Sequence, residues 1–177
     1  IILAIIPSTE QTFYSDIIKG MQNAASEHGY DILLSTSNSS YIIEMRLLDM
    51  LFKRTVDAAI LLGTQLDVKT LTDLNKQHYI ALCCERVEGA DVLTVTVDDE
   101  GGAFSAVNSL IGMGHTRIGM VSTIVNSLSS YDREQGYKRA LGENDIELRE
   151  DYIYRGTYDF SHGIKAVSYT HLTLPTI

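Results

Sequence analysis

The chain has 177 residues, 45% of them hydrophobic and 21% charged, which is an ordinary globular composition. Fourteen Lys and Arg residues against 23 Asp and Glu residues give a formal net charge of −9, which argues against a segment that grips phosphate backbones. No apolar run approaches the roughly 18 residues of a membrane span, and no signal peptide is recognised. The composition predicts one globular domain, or part of a two-lobed one, away from membranes.

The first 97 residues alternate between apolar runs and stretches of helical periodicity. Pro7 ends the first run, and Gly29 supplies the left-handed residue that stops the first helix. Strands are predicted at 1–7, 30–34, 58–62, 79–84 and 93–97, and helices at 17–28, 43–52 and 67–77. Strands that alternate with helices at this interval predict an α/β fold with a doubly wound parallel sheet.

A second series begins after the fifth strand. It contains a helix at 100–112, a strand at 117–121, a Ser-rich loop at 122–130, a helix at 131–141 and a strand at 152–155. Residues 168–177 are Thr-rich and lack helical periodicity, so we interpret them as a non-native read-through tail; a genuine disordered tail is the alternative. The predicted organisation is a first lobe at 1–98, the beginning of a second lobe at 99–167, and the tail.

Cysteine and histidine usage gives no sign of a metal or cofactor. Cys83 and Cys84 are adjacent, and because a disulfide between neighbours closes a strained ring we predict two reduced, buried strand residues. The five histidines lie far apart, with no His or Cys partner at ligand spacing. No metal site and no cofactor are expected.

Open α/β sheets bind ligands outside the carboxyl ends of their strands, so the loops after the predicted strands are expected to line one crevice. These loops carry hydroxyls, aromatic rings and charges, which suit a small polyhydroxylated ligand. The residues are Ser8, Thr9, Phe13, Tyr14, Ser35, Ser37, Asn38, Thr64, Glu85, Arg86, Asp98 and Asp99.

Five strings in this order resemble the lactose/galactose-repressor (LacI/GalR) family of transcription regulators. They run from Phe13 to Gly20 with His28-Gly29-Tyr30, from Lys53 to Ile60, from Val97 to Gly102, from Gly114 to Gly119, and from Arg133 to Tyr137. Each string is weak alone, but their order and spacing across residues 1–166 make the combination specific. The Gly114-His115-Thr116-Arg117-Ile118-Gly119 run is the most telling member.

The resemblance implies a two-lobed fold of the type I periplasmic-binding-protein kind, with a small-molecule effector, such as a sugar or sugar derivative, in the cleft between the lobes. It also implies a cytoplasmic homodimer that binds operator DNA through an N-terminal helix-turn-helix that this chain does not contain. Effector binding would shift the DNA affinity of the dimer. The implied protein is a repressor, without a catalytic residue.

The resemblance also assigns ligand contacts to individual positions. Phe13 and Tyr14 match an aromatic pair beside the ligand, although one of them could be a core aromatic instead. Arg133 matches an arginine that donates paired hydrogen bonds into the cleft; the alternative is a surface arginine of a helix. Thr9, in the loop after the first strand, completes this part of the expected site.

Three further assignments leave open questions. Glu85 and Arg86 occupy the place where many family members have Asp-Arg, so the longer Glu85 side chain changes the expected geometry. Asp99 stands where many members have Asn, and it either meets the ligand or caps the following helix. Ser129, together with Ser127, is a candidate contact from the second lobe.

Two other classes of protein share this sheet architecture. A periplasmic sugar-binding protein of a transporter has the same two-lobed fold, but the Gly114-to-Gly119 run favours the repressor. An enzyme is disfavoured because no Gly-x-Gly-x-x-Gly, phosphate-binding Gly-x-x-x-x-Gly-Lys or Gly-x-Ser-x-Gly motif is present.

Overall fold

The computed structural model describes residues 1–9, 12–124, 127–157 and 160–173, the last of these with side chains only as far as Ser168. The chain divides into two compact units, Ile1–Thr96 and Val97–Ile177.

The first unit is built on a five-stranded sheet with helices between the strands. The strands are β1 (Ile2–Ile6), β2 (Ile32–Thr36), β3 (Ala58–Leu61), β4 (Tyr79–Cys83) and β5 (Leu93–Val95), and the helices are α1 (Phe13–Glu27), α2 (Tyr41–Phe52) and α3 (Val68–Asn75). All strand pairs are parallel, in the order β2-β1-β3-β4-β5. The predicted α/β fold with a doubly wound parallel sheet is confirmed.

The two faces of this sheet are covered by different helices because neighbouring residues of a strand point to opposite sides. Leu3 and Ile5 of β1 pack in one cluster with Leu48 of α2 and Leu71 of α3. Ala4 and Ile6 belong to a second cluster, against which α1 packs through Tyr14, Ile17, Ile18 and Met21. Each fully buried aliphatic side chain contributes about 1.5–3 kcal/mol, so both faces stabilise the sheet.

The second unit begins the same pattern again. It contains α4 (Asp99–Gly112), β6 (Met120–Thr123), α5 (Leu128–Glu143), a short 3-10 helix (Glu150–Tyr152), β7 (Ile153–Gly156) and α6 (Phe160–Thr173). β6 and β7 pair in parallel. Its core contains Val107 of α4, Tyr137 and Leu141 of α5, and Ile153 of β7.

Three predicted boundaries in the second unit are wrong. β6 begins at Met120, later than the predicted residue 117, and α5 begins at Leu128 inside the predicted Ser-rich loop. The helix starts early because Ser127 caps it, with its Oγ accepting a hydrogen bond from the Ser130 amide at 3.3 Å. A serine cluster therefore marks a helix start here and not a long loop.

The third boundary concerns the predicted tail. α6 continues to Thr173, so the prediction that residues 168–177 lack helical structure is wrong for residues 168–173. Elongation of an existing helix needs only one residue to be ordered for each new hydrogen bond, which explains how the segment joins α6. Residues 174–177 lie outside the described residues, and a non-native origin of the segment stays a prediction.

Candidate ligand-binding site

The two aromatic residues at the start of α1 differ in burial, one lying at the surface and the other against the core. Phe13 is the first residue of the helix and 60% exposed, whereas Tyr14 packs against the apolar cluster on this face of the sheet. Their ring centroids are 5.3 Å apart in an edge-to-face arrangement, so the tyrosine ring supports the phenylalanine ring. Thr9 precedes the pair in the loop after β1 and is exposed. Phe13 is thus the ring available to stack on a ligand.

Glu85 and Arg86 follow β4 and therefore lie at the same, carboxyl edge of the sheet as Thr9 and Phe13. Glu85 is half-buried and Arg86 is exposed. The Arg86 amide donates a hydrogen bond to Glu85 Oε1 at 3.2 Å, so the carboxylate is held by its own turn. The expectation that the strand ends place these four residues along one edge is consistent with the parallel topology.

Glu44 is a buried carboxylate that sequence analysis did not single out. It lies on α2 with no exposed surface and accepts hydrogen bonds from Thr64 Oγ1 at 2.6 Å and from the Gln65 amide at 3.0 Å. Thr64 and Gln65 follow β3, so Glu44 fixes the loop at the carboxyl edge of this strand. The available signal was its helical spacing with Leu48 and Leu51, which places a charge on the apolar stripe of α2.

Glu44→Ala is expected to lower the free energy of unfolding by about 2 kcal/mol, because the Thr64 hydroxyl and the Gln65 amide lose their acceptor. Glu44→Gln keeps one acceptor oxygen and is expected to lose about half as much. Urea unfolding of the variants measures both values. Asp49→Ala is the matched control on the same helix: its exposed pair with Lys53 is worth about 0.5 kcal/mol or less. Equal losses for Glu44→Ala and Asp49→Ala would contradict the assigned role.

The second unit holds a carboxylate and an arginine in contact. Asp99, the first residue of α4, has only 6% of its side chain exposed, and its Oδ1 accepts a hydrogen bond from Arg133 Nε of α5 at 2.7 Å. Asp98 is the residue that caps α4, through a hydrogen bond from the Gly101 amide at 2.8 Å. The alternative in which Asp99 caps the helix is therefore wrong, because its carboxylate is turned to Arg133.

Ser129 lies in the first turn of α5 and is buried. Its hydroxyl is 2.8 Å from the Ser127 hydroxyl, which in turn caps the helix. The two serines therefore form one hydrogen-bonded group at the helix start, on the helix that carries Arg133. A role of Ser129 in ligand contact stays a prediction.

A cavity of about 550 Å³ in the second unit adjoins the Asp99–Arg133 pair. Its walls are mainly apolar and come from α4 with the two residues before it, from β6 with the residues before it, and from α5. The lining residues are Val97, Asp98, Asp99, Gly102, Ala103, Ala106, Val107, Leu110, Ile118, Gly119, Met120, Val121, Arg133 and Tyr137. Such a cavity with a few charged groups at one place is typical of a small-molecule site.

Tyr137 fixes one wall of this cavity. Its phenol hydroxyl donates a hydrogen bond to the Ile118 carbonyl at 2.8 Å, and its side chain is almost wholly buried. Burial raises the pKa of the Tyr137 phenol above its ordinary value, so the hydroxyl stays a donor at neutral pH. α5 is thereby tied to the segment that leads into β6.

Among the described residues, no three His, Cys, Asp or Glu side chains are grouped so that they could hold a metal ion. In the same part of the chain, no helix is both long and apolar enough to cross a membrane.

Comparison with known proteins identifies the family. The family described as "Periplasmic binding proteins and sugar binding domain of LacI family" matches residues 1–177. The chain therefore belongs to this family, and the resemblance read from the five sequence strings is confirmed.

The curated relatives are transcriptional regulators. The chain is 33% identical to Catabolite control protein A of Priestia megaterium over 165 residues, which are 92% of this chain and 50% of that protein. It is 30% identical to the HTH-type transcriptional repressor CytR of Escherichia coli (strain K12) over 167 residues, 94% of this chain and 49% of the repressor. The chain thus spans about half the length of the curated relatives it matches.

Solved structures show the same fold. The crystal structure of the transcription regulator CcpA of Lactococcus lactis superposes with a TM-score of 0.85 at 23% sequence identity, covering 98% of this chain and 65% of that one. This agreement confirms the type I periplasmic-binding-protein-like fold that the resemblance implied.

Proposed function

We propose that this chain is part of the effector-sensing region of a cytoplasmic, homodimeric transcriptional repressor. Its effector is a small, polar molecule, such as a sugar or sugar derivative, bound by residues at the carboxyl ends of the strands. Effector binding changes the affinity of the intact protein for operator DNA through a helix-turn-helix outside these residues. The chain carries no reaction of its own and needs no cofactor.

The observation that carries the proposal is the Asp99–Arg133 pair beside a cavity in the second unit. A guanidinium that is oriented by a nearly buried carboxylate presents its N–H donors in a fixed direction, which suits the recognition of hydroxyl oxygens. In the first unit, the exposed ring of Phe13 supports the same kind of ligand, because an aromatic face packs on the C–H side of a sugar.

The membership of the family supports regulation over transport. The family description covers both periplasmic binding proteins and LacI-family domains, but the curated relatives named above are a control protein and a repressor. We therefore propose DNA, and not a membrane transporter, as the second partner of the intact protein.

The test uses the intact protein and a panel of neutral sugars, sugar phosphates and nucleosides. A true effector at about 100 times its Kd stabilises the protein by about 2.7 kcal/mol, so it raises the melting temperature. The same compound is then expected to change the affinity for an operator selected from random DNA, measured by fluorescence anisotropy. A protein that binds a sugar but no DNA would instead be a transport binding protein, and a protein that binds neither would refute the proposal.

A further inference from the structure

Cys83 and Cys84 form a pair of neighbouring thiols at the carboxyl end of β4. Cys83 is the last residue of the strand and Cys84 follows it, and both are half-buried. Their Sγ atoms are 3.6 Å apart. Two parts of the prediction of buried strand residues are therefore wrong. Cys84 lies beyond the strand, and neither cysteine is fully buried.

The two side chains meet because the backbone leaves the strand between them. Consecutive residues of a continuous strand point to opposite faces of the sheet, which would separate the sulfurs. Cys84 instead has a φ of 68°, in the left-handed region that costs a residue with a side chain about 1–2 kcal/mol. Its amide donates a hydrogen bond to the Val95 carbonyl at 3.0 Å, which holds this conformation against β5.

The separation of the sulfurs suits a bridge by a third atom better than a direct bond. A disulfide needs sulfurs about 2.05 Å apart and Cα atoms about 4.4–6.8 Å apart, whereas the Cα atoms of neighbouring residues are only about 3.8 Å apart. Two sulfurs bonded to one pyramidal trivalent atom are not bonded to each other, so they lie much further apart than in a disulfide and only a little closer than two sulfurs in contact. The observed 3.6 Å is therefore near the separation that such a bridge needs.

We propose that Cys83 and Cys84 form a dithiol site that binds one trivalent arsenical, or a similar thiophilic compound of a trivalent metalloid, through both sulfurs. With an aryl arsenoxide, two S–H bonds and the bonds from arsenic to oxygen break while two As–S bonds form. The two thiol protons leave with the oxygen as water. Arsenic stays trivalent, so the step needs neither oxidant nor reductant.

The position of this site gives it a consequence for the rest of the first unit. Cys84 directly precedes Glu85 and Arg86, whose turn lies at the carboxyl edge of the sheet. An arsenic atom bound to both sulfurs therefore constrains the turn that carries these two residues. The site itself does not depend on the proposed effector, so it can be tested without one.

The test uses the 177-residue chain, because Cys83 and Cys84 are its only cysteines. The protein is treated with one equivalent of phenylarsine oxide, then with excess 2-mercaptoethanol, and its intact mass is followed with time. The expected result is one phenylarsenic group per chain, retained at least 100-fold longer than in Cys83→Ser or Cys84→Ser, since a second bond to the same atom raises the effective concentration. A dithiol such as 2,3-dimercaptopropanol is expected to release it.

Three results would overturn the proposal. The first is a phenylarsenic group that the wild type retains no longer than the single variants do, and the second is the binding of two phenylarsenic groups per chain. The third is a purified chain that is two hydrogens lighter and takes up no phenylarsine oxide.

A second measurement covers the case in which a variant fails to fold. In the wild type, one equivalent of phenylarsine oxide is expected to protect both cysteines from iodoacetamide, as read by peptide mapping, and protection of only one of them would equally refute the site.

Discussion

Replacing Gly136 by alanine is expected to lower the free energy of unfolding by at least about 3 kcal/mol. Gly136 lies where α5 crosses α4, and a Cβ atom there would overlap the backbone oxygen of Glu100 and lie 2.9 Å from the Phe104 amide nitrogen. Both are backbone atoms of a helix, so neither can rotate away as the end of a side chain can. The helices must separate, which places the expected effect at or above the upper end of the usual 1–3 kcal/mol for overpacking.

Gly142→Ala is the matched control for this prediction. Gly142 lies on the same helix, and a Cβ atom there would meet nothing within 4 Å. Alanine is favoured over glycine in a helix by about 0.5–1 kcal/mol, so this variant is expected to be slightly more stable than the wild type. Urea unfolding of both variants gives the comparison. A Gly136→Ala protein within about 1 kcal/mol of the wild type would show that the contact between α4 and α5 is not close.

Replacing Arg133 by alanine is expected to weaken effector binding about 100-fold, which equals about 2.8 kcal/mol. The physical reason is the loss of charge-assisted hydrogen bonds, each worth about 1.5–3 kcal/mol. The structure adds a second effect, because Asp99 loses the partner of its nearly buried carboxylate. An additional loss of about 1–3 kcal/mol in stability is therefore expected. Titration calorimetry with a compound that raises the melting temperature of the intact protein measures the affinity.

Two further variants separate binding from folding. The double variant Arg133→Ala with Asp99→Ala removes both partners, so it is expected to recover most of the stability but none of the affinity. Arg139→Ala is the control on the same helix: its side chain is 44% exposed, against 42% for Arg133, but its partner Glu100 is 41% exposed. This control is expected to leave affinity unchanged. Wild-type affinity in Arg133→Ala would remove the arginine from the proposed site.

The fold was predictable from the sequence because buried parallel strands read as plain apolar runs. β1 and β3 are covered on both faces by helices, so their sequences carry little besides aliphatic residues. The start of α5 was not predictable in this way. Ser127 and its serine neighbours favour a loop by composition, and only the capping hydrogen bond turns them into a helix start.

Positions for a candidate site could be chosen from the sequence, but the contacts between its residues could not. Phe13, Glu85 and Arg133 could be chosen because they follow strands or match motifs of the family. The bond between Asp99 and Arg133 joins residues 34 positions apart, and no local pattern encodes such a pair. Glu44 was missed for a related reason, since its partners Thr64 and Gln65 come from a loop that a helix pattern does not reveal.

The Asp99–Arg133 pair also affects the electrostatic field that this part of the molecule exerts on a distant solute. A positive group bound to a negative group of the same chain forms a dipole, and the field of a dipole falls off faster than that of a single charge. The pair itself then neither strongly attracts nor strongly repels an approaching molecule on account of that molecule's net charge. Discrimination between ligands then depends on short-range geometry. Added salt is therefore expected to change the affinity for a ligand less than it would at a site with an unpaired arginine.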